Sequence, residues 1–325
     1  MPRIIRPSTL RRTGAALALA LAVPAALAWT GKPVRMLVPA PAGGTMDVIA
    51  RLLADQLSAD LGQPVVVDNK PGAGGSIAIS TLLAAPADGQ TIMVTASNVL
   101  TEVPHVLKTP FDPLKDVRPI AAVARSRLLL VGTPSLPARD LAGLVAYARA
   151  NPGKLSFASY SAGTASHYAG AILNQKAGLD LQHVPFAGSG PALAQVMGGQ
   201  IPLMFDGMVT SLPLLKGGKL QAYAVASKTR SPLLPQVPTF AELGYPELDF
   251  SNWVGVIGSA RLPEALAARI AAASYRAAAT PRVHERMKDL GYEPIEAQSL
   301  PQLGQAVRTE FERNAGIVKA FGIQP

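Results

Sequence analysis

The residue types able to do chemistry gather in two short turns. The first, Ala42-Gly43-Gly44-Thr45-Met46-Asp47, follows an apolar run, Val34 to Val38, that breaks at Pro39 and Pro41. Helical periodicity begins directly after it: Met46, Ile49, Ala50, Leu53 and Leu57 share one face, with Asp47, Arg51 and Asp55 off it. In a strand, glycine turn, helix start, unpaired amides and the positive end of the helix dipole converge on one point. Such a point binds an anion without a basic side chain. The same residues also make an ordinary tight turn with Thr45 as N-cap. Asp47 can cap amides, pair with Arg51, or hold a ligand ammonium or water. The second turn, Ser159 to His167, carries four hydroxyls besides Tyr160, with Gly163 among them. Donors on both side chain and backbone hold a carboxylate where no cation is present, so this turn is a candidate carboxylate site. A serine-rich capping turn with a structural His167 is the plain alternative. Asp206 ends the run Leu203-Met204-Phe205, and Asn98 stands where a third strand ends. Open α/β sheets place ligands at such carboxyl edges, although Asp206 can equally cap a helix.

Other chemistries lack their residues. The four histidines, His105, His167, His183 and His284, form no metal pair with one another or with a glutamate at helical spacing, and the chain has no cysteine. Gly188-Ser189-Gly190 is too short for a nucleophile elbow, no phosphate-binding P-loop occurs, and Gly72-Ala73-Gly74-Gly75 fails the dinucleotide fingerprint at Ile77. The expectation is a binding protein with no catalytic residues, no cofactor and no metal.

The elements that must position these turns alternate. Val34–Val38, Pro64–Asp68 and Thr91–Thr95 read as strands, separated by helices near 45–57 and 77–85. That is a doubly wound parallel α/β unit. The proline-punctuated stretch Thr101–Val123 reads as a surface loop. Further strands are expected at Arg127–Val131, Lys154–Ala158, Gln182–Val184 and Leu203–Phe205. They alternate with helices after the Asp140 cap, at Ala165–Ala177 and at Pro191–Gly198. Asp249–Ile257 reads as a strand returning to the first sheet, and three helices near 263–279, 281–290 and 300–320 pack the first lobe. Residues 29–127 with 253–325 thus form lobe 1, residues 128–252 an inserted lobe 2, and the cleft lies between them.

Residues 1–28 read as a secretory leader. Arg3, Arg6, Arg11 and Arg12 precede the uncharged run Thr13–Ala28, which ends in Ala26-Leu27-Ala28. That run is too short for a membrane span of about 20 residues. The formal charge of the full chain is +9. The leader holds four arginines and no acid, which leaves a mildly basic +5. No basic stripe with interleaved aromatics marks a nucleic-acid surface. The expectation is an exported monomer that does not itself span a membrane.

Taken together, the blocks VRMLVPAPAGGTMDVIARLLADQL, GQPVVVDNKPGAGGSIA with ADGQTIMV, PFDPLKDVRPIA, NPGKLSFASYSAGTASHYAGAIL, HVPFAGSGPALAQVMGGQIPLMFD and LPQVPTFAELGYPELDFSNWVGV resemble the substrate-binding proteins of tripartite tricarboxylate transporters, the Bug-type solute receptors. The resemblance covers essentially all of the chain after the leader. It implies a type II periplasmic-binding fold: two α/β lobes, joined by two crossover strands, shut over a small organic acid that is delivered to membrane transporter subunits. A receptor that signals to a membrane sensor is the alternative. Carried over, the contacts fall on Ala42, Gly43, Gly44, Thr45 and Asp47 in one lobe and on Ser161, Gly163, Thr164, Ala165, Ser166 and His167 in the other, with Gly188, Asp206 and Asn98 nearby. The chain departs from the family pattern at Ala40, usually aromatic; Ala42, usually proline; and Met46, usually a hydroxyl residue. It also departs at Tyr160-Ser161, usually a smaller pair; Ala187, often basic; and Gly207, often asparagine.

Overall fold

The computed structural model describes residues 32–324, so the expected leader lies outside the described residues. The chain runs β1 (Val34–Val38), α1 (Thr45–Leu61), β2 (Val65–Asn69), α2 (Ser76–Ala84), β3 (Thr91–Ala96), α3 (Asn98–Thr101) and β4 (Val117–Gly132). It continues α4 (Leu141–Ala150), β5 (Ser156–Ser159), α5 (Ala165–Lys176), β6 (Gln182–Pro185), α6 (Ser189–Met197), β7 (Leu203–Gly207), α7 (Met208–Lys216) and β8 (Gln221–Ala226). It closes with β9 (Ser251–Ser259), α8 (Glu264–Ala279), α9 (Pro281–Asp289), β10 (Tyr292–Pro294) and α10 (Leu300–Phe321).

One strand organises both sheets. Over Val117–Arg127, β4 pairs antiparallel with β9, down to Arg127 opposite Ser251. From Leu128 to Gly132 the same strand instead pairs with β7 and β8. In the first sheet β1 lies parallel between β2 and β3, and β9 is antiparallel to β3. In the second, β5 lies parallel between β6 and β7. The sheets are therefore mixed, not purely parallel as the alternation implied. The expected surface loop Thr101–Val123 is also corrected at its end, because β4 begins at Val117. Pro119 sits in that strand where the register to β9 shifts, and a bulge tolerates a residue that has no N–H to give the ladder.

Alternation along β4 builds the second lobe's core. Leu128 and Leu130 face a cluster with Phe157, Tyr168, Phe205 and Phe250, whereas Leu129 and Val131 face one with Met204, Met208 and Val225. Both faces are covered, which is why these strands read as unbroken apolar runs. The C-terminal helix differs from expectation. Leu303 and Val307 of α10 pack in the first lobe's core, but Ile317, Val318, Phe321 and the following Ile323 pack against the second lobe's cluster. Helix α10 is thus a strut across both lobes.

Candidate functional site

A cavity of about 500 Å³ opens between the two sheets at the carboxyl ends of their strands. Besides the one-turn α3, which starts at Asn98, five helices begin at it. Gly43, Gly44 and Met46 at the start of α1 and Gly74-Gly75 before α2 line one wall. Thr164 before α5, Gly188-Ser189-Gly190 at α6 and Gly207 before α7 line the other. At none of these five does the N-cap residue's own side chain cap the helix, although at α5 the Glu102 carboxyl meets the Ala165 amide and the Tyr160 hydroxyl the Ser166 amide. Helices α4 and α10, which start elsewhere, are capped by Asp140 and by a Ser299–Gln302 capping box. Helices α8 and α9 also lack a side-chain cap and carry Pro263 and Pro281 at their starts. Helix N-termini that meet one cavity from both sides form a field that favours negative charge. Among the residues lining this cavity there is no Asp, Glu, Lys, Arg or His. A bound anion must be stabilised there by dipoles alone.

The first turn is built as a rigid loop. Gly44, in extended conformation, is the N-cap of α1, so Thr45 is the first helical residue and not the cap. Asp47 is only 3 % exposed. Its carboxylate accepts from the Gly43 amide at 2.8 Å, from Arg51 Nε at 2.9 Å and from Asn69 Nδ2 at 3.0 Å. Burial pushes its pKa up, but Arg51, the Gly43 amide and Asn69 together hold it below the usual carboxylate range. Of the residues singled out in this turn, Ala42, Gly43 and Gly44 face the cavity, and Asp47 braces the loop from behind.

The second turn divides the same way. Ser161 and Thr164 line the cavity, with the Thr164 hydroxyl donating to the Ser161 carbonyl at 2.7 Å. Ala165 and Ser166 are buried behind it, and the Ser166 hydroxyl donates to the Phe205 carbonyl. His167 accepts from the Gly163 amide at Nδ1 (3.2 Å) and stacks on His183 with ring centroids 3.8 Å apart. Burial first, and then the neighbouring His183, lowers the His167 pKa to about 3; burial lowers that of His183 to about 4. Both rings are neutral, and Nδ1 of His167 is an acceptor. Gly163 has φ +71°, and a Cβ there would stand 3.1 Å from Val106, which comes from the opposite lobe.

Gly188, φ +122°, also lies at the lobe-to-lobe approach: a Cβ would meet the Pro41 ring at 3.3 Å. Asp206 is fully buried beneath the rim. It accepts from Ser189 at 2.6 Å, Thr210 at 2.6 Å and Ser211 at 2.8 Å. Burial raises its pKa against the pull of these hydroxyls. Asp206 therefore ties the starts of α6 and α7 to the end of β7. Asn98, with Asn252 of β9, faces the cavity.

Residue reading missed Asn252, Ser189 and the glycine turn Gly72–Gly75 as cavity wall. A glycine just ahead of a helix was the usable signal at Gly75 and Gly207; nothing local marked Asn252. Ala40, Ala42, Met46, Tyr160, Ser161, Ala187 and Gly207, where the chain departs from the family pattern, all line the cavity. Tyr160 brings a hydroxyl to Thr164 and the Ser166 amide, and burial raises its pKa far above the usual phenol range.

Comparison with known proteins identifies the family and the fold. The model of the tripartite tricarboxylate transporter family receptor matches residues 49–323. Protein BugT of Bordetella pertussis (strain Tohama I / ATCC BAA-589 / NCTC 13251) is 33% identical over 299 residues, covering 90% of each chain. The solved structure of R. palustris Rpa4515 with adipate is 31% identical, with a TM-score of 0.86 over 91% of this chain and 100% of that one. That of periplasmic binding protein BugD is 32% identical, with a TM-score of 0.85 over 91% and 100%. The fold is the two-lobed α/β fold of these binding proteins, and the chain belongs to the tripartite tricarboxylate transporter receptor family.

Proposed function

We propose that this protein is a periplasmic receptor that closes on a small organic carboxylate and presents the closed form to a tripartite-type membrane transporter. The observation that carries the reading is the neutral cavity ringed by five helix N-termini whose N-cap residues supply no side-chain cap, two from one lobe and three from the other. A buried carboxylate needs several donors on each oxygen, and a ligand that draws them from both lobes favours the closed state over the open one. The lobes we assign are 29–127 with 253–325, and 128–252. Support comes from the change of β4 partners at Arg127–Leu128, and from the Phe250 amide still bonding Ala226 while Ser251 pairs with Arg127. Within the cavity, Asn98, Ser161 and Thr164 are the polar contacts we assign to the ligand, while Gly43, Gly44 and Gly188, whose amides bond Asp47, Pro41 and Tyr160, let it approach the backbone closely. Loss of an aromatic at Ala40 and of a cation at Ala187 leaves an apolar wall with Met46, Val99 and Phe186, suited to an acid with a hydrocarbon body.

Thermal-shift screening of stripped protein against mono-, di- and tricarboxylates tests this, with neutral and cationic solutes as controls. At a hundredfold excess over Kd, binding to the folded state alone adds about 2.7 kcal/mol, a midpoint rise of several degrees. Stabilisation by neutral or cationic solutes with none by any acid would overturn the carboxylate reading. For delivery, transporter subunits in vesicles must take up the acid only when the receptor is present.

A further inference from the structure

A second cavity, of about 390 Å³, lies on the other side of the hinge from the cleft. Ser126 and Leu128 of β4 face the cleft, while Arg125 and Arg127, alternating with them, face this rear cavity. Its walls come from both lobes: Glu102 after α3, Ser227–Thr229 after β8, Asp249–Phe250 before β9, and the middle of the α10 strut. On α10, Glu310 and Asn314 stand four residues apart on one face. The Asn314 side-chain amide donates to the Thr101 carbonyl at 3.0 Å, which places it beside Glu102.

Three acceptors there have no protein donor: Glu102 Oε2, Glu310 Oε2 and Asn314 Oδ1. Glu102 is 1 % exposed and Asn314 4 %. Among the fully buried side-chain donors of the cavity, Arg127 Nε has no partner. Three of the four bases that line the cavity, Lys228 being the fourth, are engaged around the rim. Arg127 pairs with Glu293 and bonds Ser227 and Thr229, Arg125 donates to Ser251 at 3.3 Å, and Arg313 donates to the Asp249 carbonyl at 3.3 Å. Burial, with the Glu310 charge adding to it, raises the Glu102 pKa to about 8, and burial raises that of Glu310, although Arg125 and Arg313 pull it down. The pair by itself therefore keeps a proton on Glu102 at neutral pH, and an ammonium between the carboxyls takes that proton's place.

We propose that this rear cavity is a second ligand site that takes a primary ammonium, whose three N–H groups match Glu102, Glu310 and Asn314. An ammonium has three donors and no acceptor, the complement of what these side chains lack. Calcium or magnesium fits poorly: they take about six or more oxygen ligands, twice the three unpartnered acceptors here. The ammonium belongs either to a free amine or to a small zwitterion, whose carboxylate would then meet Arg127 Nε. The site uses the opposite face of β4 from the acid-binding cleft and does not depend on that reading.

The test is thermal shift of the full mature protein with methylammonium chloride, glycine, sodium chloride and tetramethylammonium chloride at equal ionic strength. The expected result is a saturable rise with methylammonium or glycine, roughly 5 °C at a hundredfold excess over Kd, and none from sodium or the quaternary ion. A larger effect of glycine identifies a zwitterion, and a larger effect of methylammonium a free amine. Glu310→Gln, on the rim of the cavity, and Glu102→Gln must each weaken the effect at least tenfold. Circular dichroism and response to the acid found in the cleft screen confirm that each variant is folded. No saturable rise with either ammonium compound, an equal rise with the quaternary ion or sodium, or an unchanged response in folded Glu310→Gln would overturn the proposal. Failure of the acid screen leaves these outcomes readable, since each compares cations on the same protein.

Discussion

Replacing Asp206 with alanine separates a brace from a ligand contact. The carboxylate is fully buried and accepts three hydroxyls, two of which, from Ser189 and Thr210, are only part-buried and can turn to the cleft. Their release costs about 1 kcal/mol each, the net worth of an ordinary hydrogen bond. Ser211 is buried and is left without its acceptor, at about 1–2 kcal/mol. Removing a carboxylate that burial disfavours returns part of this, so a net loss near ~3 kcal/mol is expected. Urea unfolding followed by circular dichroism should show a lower midpoint at unchanged slope. Affinity for the bound acid, measured by calorimetry, should fall by less than about tenfold, or about 1.4 kcal/mol. Ser211→Ala and Asp206→Ala combined should be far from additive, because both remove the same bond. A folded Asp206→Ala protein of wild-type stability that has lost binding a hundredfold or more would refute the bracing role.

Two neighbouring hydroxyls should behave oppositely. Thr164→Ala removes a cavity-lining hydroxyl and should weaken acid binding about tenfold with under ~1 kcal/mol of stability lost, whereas Ser166→Ala strands the buried Phe205 carbonyl and should cost about 1–2 kcal/mol with affinity kept. Equal affinity losses in the two, read by calorimetry, would mean that the turn has been divided wrongly. Acid should destabilise the second lobe through its stacked histidines. Their folded pKa values, about 3 and about 4, lie below the ordinary value of 6.5, so the folded state binds fewer protons than the unfolded one. Their contribution is present above pH 6.5 and is lost as pH falls from there through 4 towards 3. His183→Phe should flatten this part of the stability–pH curve measured by urea titration, and an unchanged slope in that variant would exclude the pair as its source.

Much of the scaffold was legible because its signals are local. Pro39, Pro41 and the glycines after them can only interrupt a strand, and the 3.6-residue spacing from Met46 to Leu57 can only be buried as a helix. Asp140 was readable as a cap because an N-cap bonds an amide three residues away, here Gly143. Strand β4 was only half legible, since Pro119 argues against a strand until β9 is beside it to absorb the bulge. Helix α7, with Pro213 inside it, and the short strands β8 and β10 carry weak patterns that only their partners stabilise.

The sequence by itself determined that turns rich in glycine and hydroxyls stand at strand ends, and so that the chain could hold an anion. Only the tertiary structure decided which of those residues meet the anion. Helix α5 starts with one side against β7, so Thr164 faces the cavity while Ser166, two residues on, is turned into the Phe205 carbonyl. Thr164 is still in extended backbone and Ser166 is already in the first helical turn, and which side of that turn is inside depends on the neighbouring strand. The same reason governs Asp47 and Asp206: composition makes each a candidate ligand group, and the partners folded around them make each a support.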